Sequence, residues 1–286
     1  MPADPPHPGF RTVMVRSARD GATRSAVERF TKATADWVPL VRAGRSEVWI
    51  APGFADTGPA RGRWVVKIDR GQGLKAGLRV ALGHGPRARA YAWGQALGST
   101  GLVQAPIALL GGRLADGPRY QATVTLERAG PTLLEALGAD NGDTALAAAR
   151  AAGAHAARLL AAGVWNRDHK PSNLMFDGPP DGPIDPGGLR LIDLDGLRKG
   201  APPEAPARML ASLIIEPVGS ARPLSPAVVE AIAEGLAADQ DPGALLAQAQ
   251  RLVADHGDAR PARDPAEAER RRRAGAASGR GGGDTL

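Results

Sequence analysis

Asp168, Lys170 and Asn173 stand close together in Trp165-Asn166-Arg167-Asp168-His169-Lys170-Pro171-Ser172-Asn173, directly before the apolar run Leu174-Met175-Phe176. Taken singly, such residues populate ordinary solvated turns. Together they offer a carboxylate, a cation and an amide, and a second apolar stretch, Leu189 to Ile192, delivers another carboxylate at Asp193. Phosphoryl transfer needs such a set, because its chemistry is mainly positioning and electrostatic stabilisation. A carboxylate and an amide hold magnesium, a cation offsets phosphate charge, and a further carboxylate orients the attacking hydroxyl or accepts its proton. Asp168 takes that last role, Lys170 lies near the transferred phosphate, and Asn173 with Asp193 forms the metal pair. Lys67, embedded in Trp64-Val65-Val66-Lys67-Ile68, is the candidate contact for the more buried phosphates. Asp195 competes with Asp193, since residues two apart on a strand share a face. His169 is read as packing or orienting the loop, and Trp49, Trp64 and Trp93 as packing residues.

These residues need particular elements to hold them. Leu174 to Phe176 and Leu189 to Ile192, joined across the Gly-, Pro- and Asp-rich segment 177–188, are expected to form a hairpin with Asn173 and Asp193 at neighbouring strand ends. Upstream, Glu47 to Ile50 and Arg63 to Ile68 read as strands, Arg87 to Leu97 as a helix, and Ala105 to Leu110 and Tyr120 to Glu127 as further extended segments. Gly130 and Pro131 can then redirect the chain. Downstream, Asp143 is expected to cap a helix over Ala145 to Leu160, with Gly163 as its stop. Ser225-Pro226 opens another helix over Ala227 to Ala237, and a last one runs from Gly243 to Ala254. The expected class is α+β, with mostly strands before residue 128 and mostly helices after it. The corresponding division is a leader at 1–39, a small sheet-containing lobe at 40–127, a larger helical lobe at 128–257 and a disordered basic tail at 258–286.

Composition narrows the function classes. With 286 residues the chain can bury a substantial core, and 36 Lys plus Arg against 30 Asp plus Glu leave a net charge of +6. Such a surface favours phosphate-bearing partners without choosing among them. The absence of cysteine excludes disulfides, thiolate nucleophiles and Cys-based zinc sites, and five scattered His argue against a zinc cluster. Met1-Pro2-Ala3-Asp4 lacks a secretory pattern, and no apolar run approaches the roughly 18 residues of a membrane span. A cytoplasmic protein is expected, with peripheral contact at the inner face of the membrane left open. Arg260, Arg263 and Arg270 to Arg273 have no aromatic neighbours for base stacking, so nucleic acid is not an expected partner.

The pattern resembles the protein-kinase-like superfamily, and within it the lipopolysaccharide core sugar kinase (Kdo- and WaaP-like) group. The superfamily's His-Arg-Asp loop, with Lys two positions on and Asn three beyond that, is matched by Asn166-Arg167-Asp168, Lys170 and Asn173. Its metal-binding Asp-Phe-Gly segment is matched by Asp193-Leu194-Asp195, and its phosphate-binding lysine by Lys67. Leu191-Ile192-Asp193-Leu194-Asp195, and Gly44-Arg45-Ser46-Glu47-Val48 in place of a longer glycine-rich loop, point to the lipopolysaccharide kinase group. The resemblance covers residues 40–216. It implies a protein-kinase-like two-lobe fold, ATP and Mg²⁺ as cofactors, and transfer of the γ-phosphate to a hydroxyl of a saccharide or envelope-lipid acceptor. It implies catalysis by Asp168 and Lys170, metal binding by Asn173 and Asp193, and nucleotide contacts from Lys67, Ser46, Glu127 and Ala129, the last two through their backbone. The chain departs from the pattern in three places. Asn166 replaces the usual His, no full Gly-x-Gly-x-x-Gly is present, and residues 70–115 contain no Asp or Glu to pair with Lys67, although Gln95 could offer a neutral hydrogen bond. A nucleotide-binding pseudokinase, or a kinase for protein Ser/Thr or small alcohols, therefore stands as the alternative.

Overall fold

The computed structural model describes residues 10–256, apart from residues 19, 31–36, 44–45, 53–62, 72–77, 81, 83, 115–116, 118, 129, 139–141, 180–183, 220–222 and 238–239. The chain divides into two compact units, Met1–Glu127 and Arg128–Leu286. The tail expected at 258–286 lies outside the described residues.

The first unit is built on a six-stranded antiparallel sheet of order β1-β5-β6-β4-β3-β2. Its strands are β1 (Phe10–Ala18), β2 (Val38–Ala43), β3 (Ser46–Pro52), β4 (Arg63–Gly71), β5 (Ala108–Leu114) and β6 (Arg119–Leu126), with helices α1 (Gly21–Phe30) and α2 (Pro86–Leu97). Strand alternation sorts the side chains. Trp49 and Ala51 of β3, with Trp64, Val66 and Ile68 of β4, are buried on one face, where Val15 of β1 and Val27 of α1 join the same apolar core. Trp49 and Trp64 are core residues, as their strand positions imply. Glu47 shares that face and is buried because Arg70 (2.6 Å) and the Trp49 indole (2.9 Å) both bind its carboxylate. β1 and α1 fall within the stretch read from sequence as a leader. β1 pairs with β5 from Phe10↔Leu114 to Ala18↔Ala108 and so belongs to this sheet.

The second unit is mainly helical: α3 (Leu133–Leu137), α4 (Gly142–Ala161), α5 (Ala205–Gly219), α6 (Pro226–Ala237) and α7 (Pro242–His256). Short strands β7 (Val164–Asn166), β8 (Leu174–Met175), β9 (Arg190–Leu191) and β10 (Leu197–Lys199) carry the polar segments. α4 starts at Gly142, so Asp143 lies in its first turn and favours the helix through the N-terminal dipole rather than as its cap. Small buried residues, Ala145, Ala148, Ala149, Ala152 and Ala156, line its packing face. Gly163, at φ +71°, ends the helix in a left-handed turn that other residues adopt at a cost, and its N–H donates to Leu160 O at 2.9 Å. α3 and α5 are additional to the helices expected from sequence. Thr132 and Glu135 cap α3 reciprocally, with Glu135 N to Thr132 Oγ1 at 3.2 Å and Thr132 N to Glu135 Oε2 at 2.7 Å.

Candidate active site

The loop carrying Asp168 leaves β7, which pairs antiparallel with β10 through Asn166↔Leu197, Trp165↔Arg198 and Val164↔Lys199. Arg167 N then donates to Gly196 O at 3.0 Å, fastening the loop to the turn that follows Asp193. Asn166, only 1 % exposed, clamps the loop from within. Its Oδ1 accepts from Asp168 N at 3.1 Å and its Nδ2 donates to Asp168 O at 3.2 Å. The residue standing where the kinase pattern has His thus braces the backbone of Asp168 on both sides. Gly196 is required here, because a Cβ would stand 3.0 Å from Asp168 N and run into the Asn166 amide.

Asn173 closes the other side of the loop. It lies in the 3₁₀ turn Pro171–Asn173, and its Nδ2 donates to Asp168 O at 3.1 Å and to Asp168 Oδ2 at 3.3 Å. The amide nitrogen is committed to Asp168, and the amide oxygen is what Asn173 can offer a cation. Lys170 sits half-buried at the N-cap of the same turn, with its carbonyl accepting from Asn173 N at 2.9 Å. The expected hairpin is present as β8 and β9, paired Leu174↔Leu191 and Met175↔Arg190. Ile192 N donates to Asn173 O at 2.9 Å, which brings the end of β9 and Asp193 beside Asn173. Asp193 and Asp195 are both half-buried, and Asp193 Oδ1 accepts from Asp195 N at 3.3 Å. An amide oxygen and carboxylates form a hard, all-oxygen donor set, which suits Mg²⁺ completed by phosphate oxygens. Among the described residues no group of three or more His, Asp or Glu is arranged to hold a metal, so the protein alone offers no closed cage.

His169 is fully buried and its ring lies on that of His155, with centroids 5.5 Å apart and planes inclined by 18°. Neither ring nitrogen of His169 has a hydrogen-bond partner among the described residues, and burial first, then the charge of His155, hold its pKa well below the ordinary imidazole value. A neutral packing residue beneath Asp168 and Lys170 is the chemical consequence.

Two supports escaped the sequence reading. Glu216 of α5 accepts from Ser172 N at 2.7 Å and from Ser172 Oγ at 2.6 Å, gripping the 3₁₀ turn from a residue 44 positions away. Its signal was present, since Glu216 is the one charged residue in Leu213-Ile214-Ile215-Glu216-Pro217-Val218. Asp177, just past β8, pairs with Arg190 of β9 at 2.6 Å and with Arg128. Burial and the neighbouring Arg190 charge lower the pKa of Arg128.

In the first unit, Lys67 lies half-buried on β4, in register with Val48 of β3 and Thr123 of β6. Ser46 Oγ donates to the Asp69 carboxylate. Glu127 N donates to Arg63 O at 2.8 Å and its carboxylate binds Arg63, so its backbone carbonyl is the group it can offer a base. Ala129, with Gly44 and Arg45, lies outside the described residues. Gln95 does not serve Lys67: it is exposed and donates to Pro106 O at 3.2 Å.

No family model matches the sequence, and no curated protein matches it. Among solved structures the chain is similar to WaaP in complex with acyl carrier protein, with a TM-score of 0.57 at 16 % identity over 85 % of this chain and 98 % of that one. At this identity the likeness is one of fold. The class expected from sequence holds: a kinase-like α+β fold, with an antiparallel sheet in its N-terminal region and helices in its C-terminal region.

Proposed function

We propose that this chain is an ATP- and magnesium-dependent phosphotransferase that transfers the γ-phosphate to a hydroxyl of a saccharide or lipopolysaccharide-like acceptor. The observation that carries the reading is the Asp168–Asn173–Asp193 cluster, in which Asn173 holds the catalytic carboxylate through its side-chain amide and, through its backbone carbonyl, the residue before the second acid. Magnesium-ATP supplies the transferable phosphoryl group and a dication to spread its charge. Asp168 orients the acceptor hydroxyl and takes its proton, held in place by Asn166 and Asn173. Lys170 offsets charge on the phosphoryl group in flight, Asn173 Oδ1 and the Asp193 carboxylate hold the metal, and Lys67 meets the more buried phosphates. The Glu127 carbonyl, with the backbone of Ala129, meets adenine.

The acceptor class rests on the resemblance of Leu191-Ile192-Asp193-Leu194-Asp195 to the lipopolysaccharide sugar kinases. A net charge of +6 suits an anionic, envelope-derived acceptor, and peripheral contact with the inner face of the membrane belongs to this proposal. No helix of the described residues is long and apolar enough to cross a membrane.

A second reading, a nucleotide-binding pseudokinase, is favoured by one observation. The buried face of α2 carries Arg87, Ala90, Tyr91, Gly94 and Leu97, and the helix contains no acidic residue. Labelled ATP presented with core oligosaccharides, protein substrates and small alcohols separates the readings. Saccharide labelling is expected, and Asp168→Asn should slow it about 10²- to 10⁴-fold while leaving ATP affinity nearly unchanged. Labelling confined to protein would replace the acceptor, and ATP binding without any transfer would establish the pseudokinase.

A further inference from the structure

The first unit contains a buried ion pair whose polarity is the reverse of the one its fold class uses. In kinase-like sites a strand lysine pairs with a helix glutamate. Here the strand contributes the acid and the helix the base. Arg87 opens the buried face of α2 and is 5 % exposed; Asp69, two residues after Lys67 on β4, is 8 % exposed. Arg87 Nε donates to Asp69 Oδ2 at 3.0 Å, while Ser46 Oγ donates to Asp69 Oδ1, so both carboxylate oxygens are engaged. The residue in register with Asp69 on β6 is Gln121, and its Nε2 donates to Val80 O at 3.1 Å, fixing the chain that leads into α2. On the Lys67 face, Asp69 thus holds the first turn of this helix, and its register partner Gln121 holds the segment before it. The other buried acid of the sheet, Glu47, lies in register with Ile68 and therefore on the opposite face, where Arg70 holds it.

Resting on the phosphotransferase reading for its catalytic consequence, we propose that Asp69 and Arg87 are the positioning pair that fixes α2 against β4, the task that a strand lysine and a helix glutamate share in kinase-like sites. A lysine that also anchors a helix couples nucleotide contact to helix position. In this chain a separate buried pair sets the helix, and α2 stays docked when Lys67 is replaced. The guanidinium suits the task because it remains charged at every relevant pH and meets a carboxylate with fixed donor geometry.

Amide hydrogen exchange along Arg89–Leu97, measured on the full chain without nucleotide, tests the anchor. Arg87→Met should speed exchange on the order of 100-fold, since removing one partner strands a buried charge. Asp69→Leu/Arg87→Met, which removes both charges, should recover most of the protection. Lys67→Met should leave exchange in α2 unchanged. Calorimetry with magnesium-ATP supplies the functional arm: Arg87→Met should weaken binding roughly tenfold and the double variant should regain it, whereas Lys67→Met should weaken binding in either background. Asp69→Asn, a milder lesion of the same contact, reads the anchor if Arg87→Met does not fold. Exchange in α2 that rises as much for Lys67→Met as for Arg87→Met would overturn the proposal, as would protection unaffected by Arg87→Met or Asp69→Asn. Absence of ATP binding to the wild type would refute the nucleotide reading instead, and the exchange comparison would still decide the anchor.

Discussion

At the residue scale, the two acids after β9 can be told apart by their surroundings. Asp193 follows Ile192, whose N–H donates to the backbone carbonyl of Asn173 just past β9, so its backbone starts from a point fixed to Asn173. Asp195 lies in the following turn, where its carbonyl accepts from Arg198 at 2.9 Å. Asp193→Ala should therefore abolish the magnesium-dependent part of ATP binding in calorimetry, and Asp195→Ala should weaken it far less; equal losses would place both acids on the metal. His169 makes a pH prediction of its own. Its folded-state pKa lies well below the ordinary 6.5, so the unfolded chain takes up a proton that the folded chain refuses. The stability this neutral ring allows is present above about pH 6.5 and falls as pH drops below that value, by about 1.4 kcal/mol per pH unit for one proton. Urea titrations between pH 5 and 8 should show this slope, and His169→Leu should flatten it. Retention of the full slope in that variant would assign the proton uptake to another group.

At the element scale, a two-residue strand and a single 3₁₀ turn have little stability of their own, so their geometry comes from what grips them. α5 provides one grip through Glu216, whose carboxylate accepts two hydrogen bonds from Ser172. Hydrogen bonds to a charged group contribute about 1.5–3 kcal/mol each. Glu216→Ala, which removes both bonds, should lower stability by about 3–6 kcal/mol and reduce turnover with a smaller change in ATP affinity, because the turn ends at Asn173. Glu216→Gln keeps one acceptor oxygen and should recover part of both. A variant as active as wild type would show that the turn holds without α5. The β7–β10 pair grips the loop from its other end, and Gly196 lets the two segments approach closely enough for Asn166 to reach Asp168.

At the scale of the whole molecule, the excess of positive charge acts on encounter rates rather than on fold. If the acceptor is an anionic saccharide, kcat/KM for it should fall as salt is raised, with screening over about 10 Å at 0.1 M, while a neutral alcohol acceptor should respond little; parallel salt dependence for both would remove charge from the account. Much of the architecture was already legible. The β-branched and aromatic content of Trp64-Val65-Val66-Lys67-Ile68, the Pro and Gly stops, and the apolar runs on either side of segment 177–188 identify β4, α4, α6 and the β8–β9 hairpin, because residue type and turn chemistry are local properties. The same local spacing gave Asp168, Lys170, Asn173 and Asp193 as one constellation. What it could not give was partner choice. Asn166 reads as a lost histidine until Gly196 brings the turn close enough for its amide to brace Asp168. Gln95 reads as a possible partner for Lys67 until helix phase turns it outward to Pro106. Arg87, Asp69 and Glu216 look like ordinary charges, and only tertiary packing buries the first two together and carries the third to Ser172, because which polar groups meet across long stretches of chain depends on how strands register and helices dock.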